Sequence, residues 1–185
     1  DKFPNQLSGG QQQRVAIARA LASRGCQVII ADIDEVQGQA AASALEARFV
    51  TLDVASEQNW QAVMALVNDL YGGLDILVNN AGIYLAGNIE STSVDDWLRV
   101  QNINVVGVLL GCKYAIGAMK ARGGSIINLS SGAALRPNSA AAAYSASKSA
   151  VWSLTRTTAL HCAEQKYNIR CNSVHPGMVD TAMVS

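Results

Sequence analysis

The sequence lacks the features that mark several large classes of protein. Its 14 basic and 14 acidic residues give a formal net charge of zero. Without a basic patch or an acidic tail, neither nucleic acid nor a membrane surface is indicated as a partner. No apolar run approaches the roughly 20 residues that a membrane span needs, and no charged-then-apolar leader opens the chain. We therefore predict a cytoplasmic protein that does not act at a membrane.

Cysteine and histidine are too few and too scattered to indicate a metal site. The four cysteines form no C-x-x-C pair, which is typical of reduced, partly buried thiols in a cytosolic protein. The two histidines do not cluster with cysteines at a ligand spacing, so we expect no bound metal. The residues concerned are Cys26, Cys112, Cys162, Cys171, His161 and His175.

Short β-branched runs alternate with longer Ala-rich helical patterns along the 185 residues. This alternation predicts an α/β fold: a Rossmann-like, doubly wound parallel sheet with helices on both faces, in three layers. The length suits a single domain, residues 1–185, with a sizeable core. Strand patterns occupy 26–32, 48–54, 124–131 and 169–177, and the segment 74–82 is typical of a strand followed by a turn. Helical patterns occupy 11–22, 35–47, 56–71, 93–121 and 143–165.

One element of that pattern is missing at the start. A doubly wound sheet normally opens with a strand that leads through a Gly-rich turn into the first helix. Here the chain opens with DKFPNQLSGG, in which Pro4 cannot donate to a ladder and Asn5 is a poor strand residue. The helix predicted from Gln11 to Ala22 therefore has no strand before it.

The strongest chemical signal is the segment YSASK, from Tyr144 to Lys148. The two side chains lie four residues apart on a predicted helix and share a face. A phenol has a pKa near 10, and a nearby ammonium group lowers that pKa. Such a tyrosine can take a proton from an alcohol or return one to a carbonyl oxygen. A lone Y-x-x-x-K is more often a solvated pair, so this hypothesis needs support from other residues.

Other features occur where they could join this pair. Ser131 ends the preceding strand, 13 residues before Tyr144 (144 − 131), and doubly wound sheets bind ligands at the carboxyl ends of their strands. The segment NNAG (79–82) ends an earlier strand, and its small residues let a ligand approach the backbone. Asn104 lies in the middle of a predicted helix, although Asn is a weak helix former. The segment HPGMVDT (175–181) ends the last strand in another turn that faces this crevice.

Taken together, these motifs resemble those of the short-chain dehydrogenase/reductase family. The resemblance covers about residues 23–185, and the wording of NIRCNSVHPGMVDT and GCKYAIGAMKARGGSIINLSS is closest to bacterial hydroxysteroid and secondary-alcohol dehydrogenases. It implies an NAD(H)-dependent oxidoreductase that transfers hydride between nicotinamide and a secondary alcohol or ketone. By this resemblance Tyr144 would be the general acid/base, and Lys148 would lower its pKa and hold the nicotinamide ribose. Ser131 would hydrogen-bond the substrate oxygen, and Asn104 would support a water that links Lys148 to solvent.

The resemblance also implies a set of cofactor contacts. Asp32, at the end of the second strand, would accept hydrogen bonds from the adenosine ribose and would repel a 2′-phosphate, which favours NAD over NADP. The other contacts would come from Asp53 and Val54 beside the adenine, from Asn80, Ala81 and Gly82 along the cofactor, from the turn at Pro176 and Gly177, and from Val179 and Thr181 at the nicotinamide carboxamide.

Residues 1–22 resemble a different family. The segment LSGGQQQRVAIARALA (7–22) looks like the signature segment of an ABC-transporter ATPase. No G-x-x-x-x-G-K-S/T motif accompanies it, so ATP hydrolysis is not expected. The dehydrogenases have a T-G-x-x-x-G-x-G turn here, and Gln12 and Arg14 stand where its last two glycines are expected. Gln12 should crowd a pyrophosphate, whereas Ser8, Gly9 and Gly10 could still form a crude anion site at a helix N-terminus.

Two functional hypotheses follow. In the first, the chain is a dehydrogenase weakened by its altered glycine-rich loop and by the lack of the family's closing helices and final strand. In the second, it is a non-catalytic chimera, engineered or recombined, that keeps the fold and binds the cofactor weakly. Both leave the sheet incomplete at its two ends. The helices near 93–120 and 144–165 resemble the pair that forms a four-helix interface in the dehydrogenases, so a homodimer is expected.

Overall fold

The computed structural model describes residues 9–177. The chain divides into two compact units, of which the first reaches Asp53 and the second begins at Val54. Each unit is a parallel sheet with helices packed on it. The α/β, Rossmann-like class predicted from the alternating pattern is therefore correct.

The first unit contains two helices and two strands in alternation. They are α1 (Gly9–Ala22), β1 (Ile29–Asp32), α2 (Glu35–Ser43) and β2 (Arg48–Thr51). The strands are parallel, with Ile29 opposite Arg48 and Asp32 opposite Thr51. The helix α1 confirms the helix predicted over 11–22. The expectation that no strand precedes this helix concerns residues 1–8, which lie outside the described residues.

A small core holds the first unit together. Ala18, Ile30 and Ala42 are buried, and Phe49 packs against them. A Cβ atom at Gly38 would overlap the Phe49 ring, so a glycine is needed for α2 to pack this closely on β2. The helix begins at an N-cap, where the Asp34 carboxylate accepts a hydrogen bond from the Gln37 N–H.

The second unit contains the larger sheet. Its elements are α3 (Glu57–Tyr71), β3 (Ile76–Asn79), α4 (Val94–Gln101), α5 (Gly107–Met119), β4 (Gly124–Leu129), α6 (Ala142–Glu164) and β5 (Ile169–Val174). All three strands are parallel in the order β3-β4-β5. The hydroxyls of Ser56 and Ser93 cap α3 and α4. The strands are shorter than their apolar patterns, because the last residues of each pattern form turns.

The core of this unit lies between the sheet and the helices α5 and α6, which both pack on it. Met119, Ile126 and Val151 are fully buried there. A buried polar network crosses the same core: Asn79 Nδ2 donates to Asn128 Oδ1 at 2.8 Å, and Asn128 Nδ2 donates to Thr155 Oγ1 at 2.9 Å. The network satisfies amide groups that would otherwise be buried without partners.

The predicted helix over 93–121 is interrupted in its middle. Residues Asn102–Val106 form a π-helical turn between α4 and α5, and turns of this kind occur frequently at functional sites. Asn104, which the sequence marks as a poor helix former, lies in this turn and is fully buried.

By length and composition alone, the segment Val94–Met119 could cross a membrane. It has 26 residues and a mean hydropathy of 1.3, and 44% of its most apolar window is buried inside the unit. Val108, Cys112, Ala115 and Met119 belong to the buried core described above. Packing on the sheet therefore accounts for part of the apolar character of the segment, while Val94, Leu98 and Leu109 are exposed.

Candidate active site

Ser131 lies just past the end of β4, at the start of a short 3-10 turn, Gly132–Ala134. Its backbone is extended, with φ −163° and ψ 158°, and its Oγ accepts a hydrogen bond from the Ala133 N–H at 3.1 Å. Because the hydroxyl oxygen accepts in that bond, its hydrogen remains available for donation. The Ser131 side chain lies near enough to the Tyr144 hydroxyl to lower the pKa of that phenol.

Tyr144 and Lys148 lie one turn apart near the start of α6. Lys148 Nζ is 5.6 Å from the centre of the Tyr144 ring and donates to the Leu129 carbonyl at 2.8 Å. The Ser130 hydroxyl donates to the main-chain carbonyl of Lys148 at 2.8 Å. These two bonds tie the end of β4 to α6. The structure thus brings Ser131, Tyr144 and Lys148 together, as the spacing predicts, while their roles stay predictions.

The electrostatics of the pair differ from the expectation. Burial lowers the pKa of Lys148 from 10.5 to about 8, because an ammonium ion loses its hydration there. Burial likewise raises the pKa of Tyr144 above 10, although the hydrogen bond from Ser131 lowers it. In this structure the pKa of Tyr144 is therefore raised rather than lowered, and desolvation of the phenolate is the largest cause. The role of Lys148 in lowering that pKa stays a prediction.

Asn104 holds the site from the side of the π-helical turn. Its Oδ1 accepts from the Ile83 N–H at 2.8 Å, and its Nδ2 donates to the Ile83 carbonyl at 2.9 Å and to Ser147 Oγ at 3.0 Å. The Ser147 hydroxyl in turn donates to the Tyr144 carbonyl at 2.7 Å. Asn104 therefore links the loop after β3 to the turn of α6 that carries Tyr144. The water expected between Asn104 and Lys148 stays a prediction.

The loop after β3 has two properties that suit a polar ligand. A Cβ atom at Gly82 would lie 3.2 Å from Asn104 Oδ1 and 3.4 Å from Lys148 Nζ, so glycine leaves room where these two groups converge. Within the described part of the chain, the buried Asn80 Oδ1 has no hydrogen-bond partner. A hydroxyl or amide of a nicotinamide cofactor would satisfy it. The residues present therefore fit such a cofactor. Ala81, between Asn80 and Gly82, is exposed.

The other predicted cofactor residues are distributed over both units. In the first, Asp32 ends β1, with its Oδ1 accepting from the Asp34 N–H at 3.0 Å, and Asp53 follows β2. In the second, Val54 packs against Gly107, and the carbonyl of Pro176, just before Gly177, accepts from the Gly132 N–H at 2.8 Å. Gly9 and Gly10 open α1. Ser8, Val179 and Thr181 lie outside the described residues.

The sequence reasoning missed two aromatic side chains at this site. Tyr84 meets the Tyr144 ring edge to face, with 5.2 Å between centroids and an interplanar angle of 68°. His175 places Nδ1 3.2 Å from the Ser131 carbonyl oxygen. Tyr84 follows NNAG by two residues, so its position in a site loop was a usable signal. His175 opens the predicted turn HPGMVDT, but nothing in the sequence pairs it with Ser131.

The chain is similar to several known proteins. The family model described as short chain dehydrogenase matches residues 15–185. A 3-beta-hydroxysteroid dehydrogenase from Comamonas testosteroni is 45% identical over 170 residues, which cover 91% of this chain and 67% of that protein. A trans-4-hydroxycyclohexanecarboxylate dehydrogenase from Sinomonas cyclohexanicum is 44% identical over 179 residues, covering 91% and 68%. An NADP-dependent (R)-specific alcohol dehydrogenase from Lentilactobacillus kefiri is 34% identical over 176 residues, covering 92% and 70%.

The match begins inside α1, eight residues earlier than the boundary at residue 23 drawn from the motifs (23 − 15). It leaves residues 1–14 unmatched. The remaining 171 residues, including every described side chain at the site in the second unit, fall within it. The chain belongs to the short-chain dehydrogenase family and is an oxidoreductase of that family.

Proposed function

We propose that this chain catalyses the NAD-linked interconversion of a cyclic secondary alcohol and its ketone. The observation that carries the proposal is the convergence of the Ser131 hydroxyl, the Tyr144 phenol and the Lys148 ammonium at the end of β4. A hydrogen-bond donor, a proton acceptor and a cation in one place are what the removal of a proton from an alcohol requires.

Each side chain has a separate task in this mechanism. The Ser131 hydroxyl donates to the substrate oxygen, since its own oxygen is already engaged by the Ala133 N–H. Tyr144 accepts the hydroxyl proton of the alcohol, and returns it to the ketone in the reverse direction. Nicotinamide, when bound, supplies the acceptor for the hydride that leaves the carbinol carbon. Lys148, whose Nζ is 5.6 Å from the Tyr144 ring centre, stabilises the phenolate.

The raised pKa of Tyr144 has a consequence for this mechanism. A phenol whose pKa lies above 10 is mostly protonated at neutral pH. Reduction of a ketone, in which Tyr144 acts as the acid, is therefore favoured at neutral pH. Oxidation of the alcohol, which needs the phenolate, should accelerate as the pH rises.

The choice of NAD rests on Asp32. One of the three relatives is named for its dependence on NADP, so family membership does not decide between the two cofactors. Asp32 ends β1, and its Oδ1 accepts a hydrogen bond from the Asp34 N–H. A carboxylate at this strand end would accept hydrogen bonds from the adenosine ribose hydroxyls of NAD and would repel the 2′-phosphate of NADP.

The choice of a cyclic substrate rests on the relatives and on the aromatic lining. The two more similar relatives are named for a steroid and for a cyclohexane carboxylate. Tyr84 presents a ring beside Tyr144, and aromatic faces pack well on saturated rings.

We also propose that cofactor affinity is reduced by the segment before residue 15. Gln12 and Arg14 occur where the family's glycines would leave space for a pyrophosphate. The likeness of residues 1–22 to an ABC signature, and the chimeric origin that it suggests, stay predictions. The cytoplasmic location and the homodimer also stay predictions.

The proposal is tested by cofactor binding and turnover on the same preparation. Fluorescence titration should give a lower Kd for NADH than for NADPH. Cyclohexanol should be oxidised faster than an open-chain secondary alcohol of equal carbon number. The Asp32→Asn variant keeps an oxygen for the Asp34 N–H but removes the charge, so it should lose the preference for NADH.

Tighter binding of NADPH by the unaltered chain would overturn the cofactor assignment. Equal rates on the cyclic and open-chain alcohols would overturn the substrate assignment. No turnover with any secondary alcohol, despite binding of NADH, would favour the alternative of a non-catalytic protein.

A further inference from the structure

The segment that carries Ser131 is held by the turn after β5. The Ser130 N–H donates to the Val174 carbonyl at 2.9 Å, and the Gly132 N–H donates to the Pro176 carbonyl at 2.8 Å. Between these two backbone bonds, the ring of His175 reaches the Ser131 carbonyl oxygen through Nδ1 at 3.2 Å. One side chain therefore contacts the residue whose hydroxyl faces Tyr144.

The bond identifies the tautomer of the ring. A carbonyl oxygen can only accept, so Nδ1 must carry the hydrogen. In the neutral ring Nε2 then lacks a hydrogen and accepts from the Ser173 hydroxyl, to which it lies at 2.9 Å. Both ring nitrogens are thus engaged.

Two further contacts hold the ring and its target. Trp152 meets His175 edge to face, with 5.9 Å between centroids and an interplanar angle of 89°. The Ser131 carbonyl also accepts from the Ala134 N–H at 3.0 Å, so both of its lone pairs have donors. The Ser131 backbone is anchored at its carbonyl, while its side-chain oxygen is anchored by Ala133.

We propose that His175 is a positioning residue for Ser131, holding its main chain through the Nδ1–H bond so that the Ser131 hydroxyl points at Tyr144 and at the substrate oxygen. The inference rests on the proposed function. His175 contacts Ser131 at its main-chain carbonyl. It acts through the orientation of one hydroxyl, and small displacements of a positioned group lower rates markedly.

The bond can be tested without any activity. The chain has two histidines, so ¹⁵N NMR of the histidine-labelled protein should give two imidazole patterns, and the His175→Asn variant assigns them by removing one. The neutral His175 ring should be the Nδ1–H tautomer. An Nε2–H tautomer would overturn the proposal.

The positioning role is tested by kinetics with a matched pair of variants. His175→Leu removes the donor and should lower kcat about ten-fold, with little change in the KM for NADH. His175→Asn places an amide N–H where Nδ1–H was and should recover most of kcat. In a Ser131→Ala background, His175→Leu should cause no further loss.

Three outcomes would overturn the role. These are an unchanged kcat in His175→Leu, an equal loss in His175→Asn, and the same ten-fold loss in the Ser131→Ala background. If the unaltered chain shows no turnover, the proposed function fails separately. The role is then read from the pKa of Tyr144, which the Ser131 hydrogen bond lowers. His175→Leu should raise that pKa by as much as Ser131→Ala does, and no rise would overturn the role.

Discussion

Replacing Lys148 by methionine should stabilise the protein at neutral pH while removing its chemistry. Lys148 is 5% exposed, and its ammonium group is held in a site where burial disfavours charge. Methionine fills a similar volume without a charge. The variant therefore separates what Lys148 contributes to catalysis from what it does to the fold.

The magnitude follows from the pKa. A fall from 10.5 to about 8 corresponds to about 3 kcal/mol at 1.36 kcal/mol per pKa unit. Below pH 8 Lys148 is protonated in both the folded and the unfolded protein, so the full free-energy cost of burying the ammonium group is present. Between pH 8 and 10.5 the unfolded chain binds a proton that the folded chain has released, so the stability of the unaltered protein rises with pH. The difference in free energy of unfolding between Lys148→Met and the unaltered protein should therefore be largest near pH 7. It should be smaller by about 2 kcal/mol at pH 10.

The assay is urea unfolding followed by the fluorescence of the three tryptophans, at pH 7, 8, 9 and 10. The exposed Lys120→Met variant controls for the loss of any one lysine. Loss of the hydrogen bond to the Leu129 carbonyl and any change in packing should alter the free energy of unfolding of the variant equally at all four pH values. The informative quantity is therefore how the difference between the variant and the unaltered protein changes with pH. A gap between Lys148→Met and the unaltered protein that stays constant or widens as the pH rises would refute the reasoning.

Three other predictions concern the site, the core and the assembly. Tyr84→Phe keeps the ring contact but removes the hydroxyl whose electrostatic interaction with Tyr144 raises the pKa of Tyr144. The acid limb of the pH–rate profile for alcohol oxidation should therefore move to lower pH, and an unmoved or raised limb would contradict this. Gly111→Ala should destabilise by about 1–3 kcal/mol in thermal unfolding, because its Cβ would overlap Asn79 Oδ1, whereas Gly117→Ala on the same helix meets nothing within 4 Å and should stabilise slightly; equal effects would count against this packing. Sedimentation should give a homodimer at micromolar concentration, and a stable monomer would count against that expectation.

The sequence predicts the elements of this fold well because its apolar runs and caps are local signals. The helices predicted over 56–71 and 93–121 begin next to the capping residues Ser56 and Ser93. The shared face of Tyr144 and Lys148 follows from their spacing of four residues. Three strand ends were placed two or three residues too late, because the patterns 48–54, 124–131 and 169–177 include loop residues beyond Thr51, Leu129 and Val174.

The features of the site that the sequence did not predict depend on groups that are distant along the chain. The pKa of Tyr144 was expected to fall because the Y-x-x-x-K spacing shows a cation but not the burial that opposes ionisation. The π-helical turn at Asn104 follows from bonds to Ile83 and Ser147 across two other segments. The contact of His175 with Ser131 spans 44 residues, and no local pattern encodes it.

The central claim is that Ser131, Tyr144 and Lys148 form a site for hydride transfer, and isotope transfer tests it most directly. Cyclohexanol with deuterium on its carbinol carbon would be incubated with NAD+ and the protein, and the nicotinamide product examined by mass spectrometry and NMR. The account predicts one deuterium at C4 of the reduced ring with the unaltered chain, and none above background with Tyr144→Phe, which loses only a hydroxyl. Equal deuterium transfer by Tyr144→Phe, or none by the unaltered chain while it binds the cofactor, would contradict the account.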